Sequence, residues 1–240
     1  VSPWVKLSVQ TCAALALTLF GYGVPVLTNP FGPSFETGML GVPLTVLWVL
    51  TVTNAINLID GLDGLASGVV AIACATLWLV GRMHGDFYVM FLAALVLGAC
   101  LGFLRWNFPP AKVFMGDTGS QFLGLMLSAL SLLENRKGTA AVTLLLPLVA
   151  LGLPLADSTL AFFRRMLSGA HVFRGDTGHI HHRFLSIGLD TRQALFALWT
   201  LCAVFGGLAV LLTQLPRVYA VLITTVAATL LFVLLEVLRF

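Results

Sequence analysis

Apolar runs about 20 residues long recur along almost the whole chain, and they restrict what the sequence can fold into. A helix of about 20 residues just crosses the roughly 30 Å of bilayer hydrocarbon, because each residue rises only about 1.5 Å. Helices are predicted at 5–24, 41–59, 65–82, 87–106, 119–134, 140–163, 192–213 and 217–238. With 59% hydrophobic and 10% charged residues in 240, the chain is too apolar for a soluble domain. A closed barrel is the other way to satisfy backbone groups in lipid, but it needs period-two alternation, which these runs lack. The expected fold is therefore all-α: a single-domain, polytopic integral membrane protein over 1–240, with about eight transmembrane helices and cytoplasmic loops carrying the site.

Against that background, the stretch Thr53–Ser67 (T-N-A-I-N-L-I-D-G-L-D-G-L-A-S) stands out. It sets two Asn and two Asp where one span should end and the next begin. An Asp at mid-bilayer costs about 2.5–3.5 kcal/mol on insertion scales, so such residues mark function. Asn54, Asn57 and Asp60 recur every third residue, which winds them along one helical face. Gly61 and Gly64 then open the backbone to a ligand. Amides, carboxylates and free N–H groups at a helix end suit a phosphorylated ligand with a metal ion.

A second rich segment runs from Asn107 to Ser120 and places Asp117, Thr118 and Ser120 at a helix entrance. Helix N-capping would explain those residue types by itself. With the Asp60 turn on the same side, a Mg²⁺ ligand is the stronger reading, since hard oxygens and phosphate are what that ion takes. The third segment, Gly175–Phe184, holds His179, His181, His182 and Arg183, a cationic or proton-handling patch whose Arg can grip a phosphate through paired hydrogen bonds. Zinc competes for this cluster, but H-x-H-H without Cys or a helical H-x-x-x-H is weak for that metal.

Val113–Gly119 and Val172–Gly178 both carry D-T-G, the triplet of aspartic proteases, but those enzymes place it in a sheet-rich fold that this chain does not offer. Asp157, beside Pro154 in the sixth span, has local structure, helix packing and the site as open readings. Glu36, Asp86 and Glu134 read as solvated linkers. The segment 25–40, rich in Pro and Gly, reads as turns with a small surface hairpin. Cys12, Cys74, Cys100 and Cys202 lie in apolar runs without C-x-x-C spacing and read as packing residues.

The 13 Lys and Arg fall on two sides of the membrane: Lys6, Arg105, Lys112, Arg164, Arg165, Arg174, Arg183, Arg192 and Arg239 against Arg82, Arg136, Lys137 and Arg217. The larger group sets the cytoplasmic side, and all three rich segments emerge there. A net charge of +3 is too slight to imply nucleic acid.

Asn54-x-x-Asn57-x-x-Asp60-Gly-x-Asp63-Gly, Phe114-Met-Gly-Asp117-Thr-Gly-Ser and His179-Ile-His-His-Arg183 together resemble the signature set of the polyprenyl-phosphate N-acetylhexosamine-1-phosphate transferases, glycosyltransferase family 4. The H-x-H-H-R form, with Pro154-Leu-Ala-Asp157 and Arg164-Arg165, resembles the WecA/TagO-like branch that uses UDP-N-acetylglucosamine. The MraY-like branch, which uses UDP-N-acetylmuramoyl-pentapeptide, is the alternative.

The resemblance implies transfer of a sugar-1-phosphate from a UDP-N-acetylhexosamine to polyprenyl (undecaprenyl) phosphate, with release of UMP, in the bacterial inner membrane. It implies Mg²⁺, with Mn²⁺ as a substitute, on Asp117 and Asn57. Asp60, Asp63, Asp117, His181 and His182 are the expected catalytic residues, with Asp60 near the metal and phosphates and Asp63 near the uracil end. Lys6, Asn54, Asn57, Asp63, Asn107, His179, His182 and Arg183 are the expected substrate-binding residues. Membrane lipids are expected neighbours, and a homodimer is compatible with the resemblance.

The family also carries an Asp-Asp pair just before the helix that opens here with Ser2-Pro-Trp-Val-Lys6, and about three helices before that. The expectation is thus that these 240 residues are an N-terminally truncated form with little or no turnover, or a non-catalytic derivative. A transporter, the rival from another class, would space its polar residues through the middle of several spans.

Overall fold

The computed structural model describes residues 2–27, 35–135 and 188–237. Seven helices run through them: α1 (Pro3–Leu19), α2 (Gly41–Ile59), α3 (Leu65–His84), α4 (Phe87–Asn107), α5 (Gly116–Asn135), α6 (Thr191–Leu212) and α7 (Arg217–Val237). The span expected at 140–163 lies outside the described residues. Among those described, Gly38–Ile59, Leu65–His84, Phe87–Asn107 and Thr191–Leu212 are long and apolar enough to cross a membrane. Between α1 and α2, two-residue strands β1 (Val26–Leu27) and β2 (Phe35–Glu36) pair antiparallel, the small hairpin that the Pro/Gly-rich segment predicts.

Two helix ends differ from expectation for local reasons. α1, predicted to reach residue 24, stops at Leu19 because Gly21 takes a φ of +79°, which lets the Tyr22 N–H bond back to Leu17 O at 2.9 Å. α5, predicted from 119, starts at Gly116 and so carries Asp117 inside its first turn. Asp86 is not a solvated linker. It is buried, 2% exposed, and its side chain caps α4 by accepting the Tyr88 and Val89 N–H groups at 3.0 and 3.2 Å.

α3 is the centre of the bundle. Its apolar window is 72% buried, against 22–33% for the other three long apolar helices. α4, α5 and α6 pack against it, while α2 joins α5 on one flank and α1 on the other. Small residues allow the close approaches that membrane helices use where lipid supplies no hydrophobic drive. A Cβ placed on Gly124 of α5 would lie 2.7 Å from the Thr53 Cα of α2, and one on Gly68 of α3 would collide with the Trp199 ring of α6. α5 buries its serine hydroxyls toward the bundle, and Ser131 accepts the Trp48 indole N–H of α2 at 2.8 Å. The large apolar side chains left exposed, such as Phe87, Phe91, Leu95 and Leu101 of α4, lie on the outside.

The ends of these helices sort by polarity. Lys6 at the start of α1, Asn57 at the end of α2, Asp117 at the start of α5, and Arg192 at the start of α6 with the residue 107–113 link meet at one end. The far ends of α3 and α6 meet at the other, where Gln214 bonds Met83 Sδ at 3.8 Å.

The Gly124–Thr53 contact makes a direct prediction. Gly124→Ala forces the α2 and α5 backbones apart, since the clash is with main chain, and should cost about 1–3 kcal/mol. A lowered thermal midpoint in detergent, with Gly98→Ala as an unaffected control because nothing lies within 4 Å of its added Cβ, is the expected readout.

Candidate active site at one end of the helix bundle

The site begins where α2 stops. Asp60 is the C-cap residue of α2, and the chain turns through Gly61–Gly64 before α3 begins at Leu65. The turn needs Gly64, whose φ is +78° and whose N–H donates to Asn107 Oδ1 at 3.0 Å. Asn107 also accepts from the Ser67 hydroxyl at 3.1 Å and donates to Val113 O at 3.0 Å. Buried to 4% exposure, it spends its amide on holding the two rich segments together. Expected among the substrate-binding residues, it clamps the two segments through these three bonds.

Asp63, expected near a bound base, accepts the Ala111 N–H at 3.0 Å and so anchors the link after α4. Arg192 of α6 fixes the same link from the other side, donating to Pro109 O at 3.1 Å with its guanidinium 5.7 Å from the Phe108 ring centre. Phe108, Phe196 and Trp199 form an aromatic group beneath.

Three helices supply the centre. Lys6 Nζ of α1 donates to Asn57 Oδ1 of α2 at 2.6 Å and pairs with Asp117 Oδ2 of α5 at 3.2 Å. The Asn57 amide nitrogen uses both its hydrogens, donating to Asp117 Oδ1 at 3.1 Å and to Ser120 Oγ at 2.8 Å. Ser120 then donates back to Gly116 O at 3.1 Å. These bonds fix the amide orientation, because only an Oδ1 facing the ammonium satisfies all four groups.

One turn deeper lies a neutral layer. Gln10 of α1 and Asn54 of α2 exchange side-chain hydrogen bonds at 3.3 and 3.0 Å, and Gln10 also reaches Gln121 of α5 at 3.4 Å. Asn54, expected on substrate, is committed to Gln10 and to Leu50 O at 2.8 Å. The spacing repeats on all three helices: Lys6 with Gln10, Asn57 with Asn54, and Asp117 with Gln121 each stand one turn apart. Gln10 and Gln121 are absent from the sequence expectations, although this i, i+4 echo of Lys6 and Asp117 is legible in the sequence.

The two carboxylates are shifted in opposite directions. Hydrogen bonds from Asn57 and then Lys6 hold Asp117 below the usual carboxylate range, and the first turn of α5 adds its dipole. Burial, and then the Asp117 charge, push Asp60 up to about 6. Asp117 is therefore the fixed anion and Asp60 the adjustable one.

Of the expected site residues, the structure brings together Lys6, Asn57 and Asp117 directly, Asp60 through its electrostatic coupling to Asp117, and Asn54 one turn below. Asp63 and Asn107 bind the adjoining link. His179, His181, His182 and Arg183, like Asp157, lie outside the described residues. Among the described residues no group of three or more His, Cys, Asp or Glu is placed to hold a metal. The donors that do converge, an Asp carboxylate and an Asn amide oxygen, are hard oxygens aimed at one cation. That fits Mg²⁺, which uses one or two protein carboxylates and takes its other ligands from water and phosphate.

Residues 1–135 match the sequence model of glycosyl transferase family 4. The chain is 39% identical over 213 residues to a Bacillus subtilis protein named "Probable undecaprenyl-phosphate N-acetylglucosaminyl 1-phosphate transferase", covering 88% of this chain and 60% of the relative. A decaprenyl-phosphate N-acetylglucosaminephosphotransferase of Mycobacterium leprae is 35% identical over 93% of this chain and 62% of its own length. A phospho-N-acetylmuramoyl-pentapeptide-transferase of Heliobacterium modesticaldum is 36% identical over 88% and 65% respectively. The chain thus spans less than two thirds of the length of these curated relatives.

The raised Asp60 pKa sets a pH dependence whose sign is fixed. Asp60 holds its proton more tightly folded than unfolded, so its contribution to stability is complete below the ordinary value of 3.8 and is lost as pH rises to about 6. Asp60→Asn should flatten the fall in thermal midpoint across that window. An unchanged pH slope in the variant would remove Asp60 as its source.

Proposed function

The chain belongs to glycosyl transferase family 4, and from that premise we propose that it forms the membrane-embedded catalytic region of a polyprenyl-phosphate N-acetylglucosamine-1-phosphate transferase. The donor is UDP-N-acetylglucosamine and the acceptor undecaprenyl phosphate. The observation that carries the reading is the convergence of Lys6, Asn57 and Asp117 from three helices on one point at one end of the bundle. The larger Lys and Arg group that the sequence assigns to that side supports a cytoplasmic orientation for it, where a nucleotide sugar is available.

In the reaction, an oxygen of the lipid phosphate bonds to the sugar-bearing phosphorus of the donor. The bond from that phosphorus to the UMP oxygen breaks, and UMP leaves. Two anions must meet, so catalysis consists mostly of positioning and of offsetting charge. Asp117 and Asn57 would hold Mg²⁺, or Mn²⁺ in its place, and the ion would neutralise diphosphate charge as a Lewis acid. Lys6 supplies a further cation for the phosphates. Asn107, Asp63 and Arg192 keep the link between α4 and α5 in place around the donor. His179, His181, His182 and Arg183 are assigned to the nucleotide diphosphate on their sequence pattern.

A second reading has a specific observation behind it, since the Heliobacterium relative named for muramoyl-pentapeptide transfer is 36% identical. The donor assay separates the two. Membranes containing the natural gene product should release UMP and form lipid-linked product with undecaprenyl phosphate and UDP-N-acetylglucosamine, and not with UDP-N-acetylmuramoyl-pentapeptide. The reverse preference would establish the second reading. Asp117→Asn should lower kcat about 100-fold or more while the protein stays inserted, the scale seen when a preorganised electrostatic group is removed. Full activity in that variant would exclude Asp117 from the chemistry.

A further inference from the structure

We propose that the Lys6 ammonium is the resident cation of this site and that a divalent ion enters by exchange, expelling Lys6 from between the Asn57 and Asp117 oxygens. The inference rests on the proposed assignment of those two residues to the metal and adds an occupant and an order of events.

The geometry carries it in three steps. First, Lys6 Nζ touches the oxygens that the metal assignment requires, at 2.6 Å from Asn57 Oδ1 and 3.2 Å from Asp117 Oδ2. A +1 and a +2 charge cannot share one pair of oxygens without strong repulsion, so the two cations exclude each other. Second, the oxygens do not depend on Lys6 for their alignment. Asn57 is oriented by its own bonds to Asp117 Oδ1 and Ser120 Oγ, so the donor pair persists when the ammonium leaves. Third, the Lys6 side chain permits movement. Its charge sits on a flexible four-carbon stem whose side chain is 21% exposed, beside an Asp117 side chain that is 74% exposed, so the way out leads toward solvent.

The nearby described cations have other duties. Arg192 is bonded to Pro109 O, and the Lys112 ammonium lies 5.8 Å from the Trp106 ring centre. Resident Lys6 offsets the Asp117 charge between turnovers. Expelled, it stands at the mouth of the site as a cation facing an incoming phosphate group. Ion binding and presentation of Lys6 thereby become one event.

The test uses the purified natural gene product without nucleotide or lipid. Mn²⁺ alone is titrated in, and bound ion is read by electron paramagnetic resonance. In parallel, acylation of Lys6 is followed by mass spectrometry, with exposed Lys112 as internal reference. Expected is a severalfold rise in Lys6 labelling, at constant Lys112 labelling, with the midpoint of Mn²⁺ binding. Lys6→Met, which removes the competitor, should bind Mn²⁺ about tenfold tighter, within the usual range of coupling between two ligands. Mn²⁺ binding with Lys6 labelling unchanged or reduced overturns the exchange and leaves the metal assignment standing. Absence of Mn²⁺ binding in both wild type and Lys6→Met overturns both, since nothing would then exchange. Should Lys6→Met fail to fold, the wild-type labelling curve decides alone.

Discussion

One amide side chain joins the site together. Asn57 presents its oxygen to an ammonium on α1 and its nitrogen to a carboxylate and a hydroxyl on α5, so both poles of a neutral group are used by charges of opposite sign. An Asp here would leave Asp117 facing a second anion, and a Lys would compete with Lys6. A neutral group with a donor and an acceptor end is what lets a cation and an anion share one anchor at a bundle end, where unpaired charge is costly.

These bonds cannot set the helix positions by themselves. Polar contacts between membrane helices average only about 0.6 kcal/mol, too little to hold three helices against their own disorder. Position comes from packing. One turn below Asn57 on α2 is Thr53, and one turn beyond Ser120 on α5 is Gly124, and there the two backbones touch. That contact makes the 2.8 Å bond between Asn57 and Ser120 geometrically available one turn higher. The buried length of α3 plays the same part for the second half of the site, since its first residues receive Asn107 through Gly64 and Ser67. Chemistry at the mouth is thus fixed by small residues in the apolar interior.

Much of this was legible in the sequence, and what was not has a common cause. Span-length apolar runs placed the seven described helices to within a few residues, because crossing a bilayer demands length before any tertiary detail. The end of α1 was missed because Gly21 could continue or stop a helix, and only its φ of +79° decides. The joint placement of Asn57 and Asp117 agrees with rich segments expected on one side, whereas Lys6 entered the site only through the family resemblance. The duties of Asn54, Asn107 and Asp86 were not legible, because an amide or carboxylate at a helix end serves a ligand or the protein equally well. The structure adds the protein partners of these residues, which are Gln10, the Gly64 turn and the first amides of α4. Gln10 and Gln121 carry no motif of their own, and they acquire meaning only as the layer beneath the charges.

The depth profile of polarity also discriminates among functions. Along the α1–α2–α5 seam, charged groups stand at the mouth, neutral amides follow about 5.4 Å further in, and beyond them an indole and two serines bond one another or the backbone. A conduit for ions or solutes would have to keep polar groups available through the depth of the bundle, whereas these described groups are progressively more neutral and, the Thr53 hydroxyl apart, already paired. The same gradient accounts for the two carboxylates. Asp117 keeps its charge because it is exposed and paired, whereas the half-buried Asp60 is driven toward its protonated form by burial and by Asp117 itself. The more firmly held negative charge, on Asp117, thus lies on the solvent side of the site, where a cation can reach it and where the protein interior bears least of the desolvation cost.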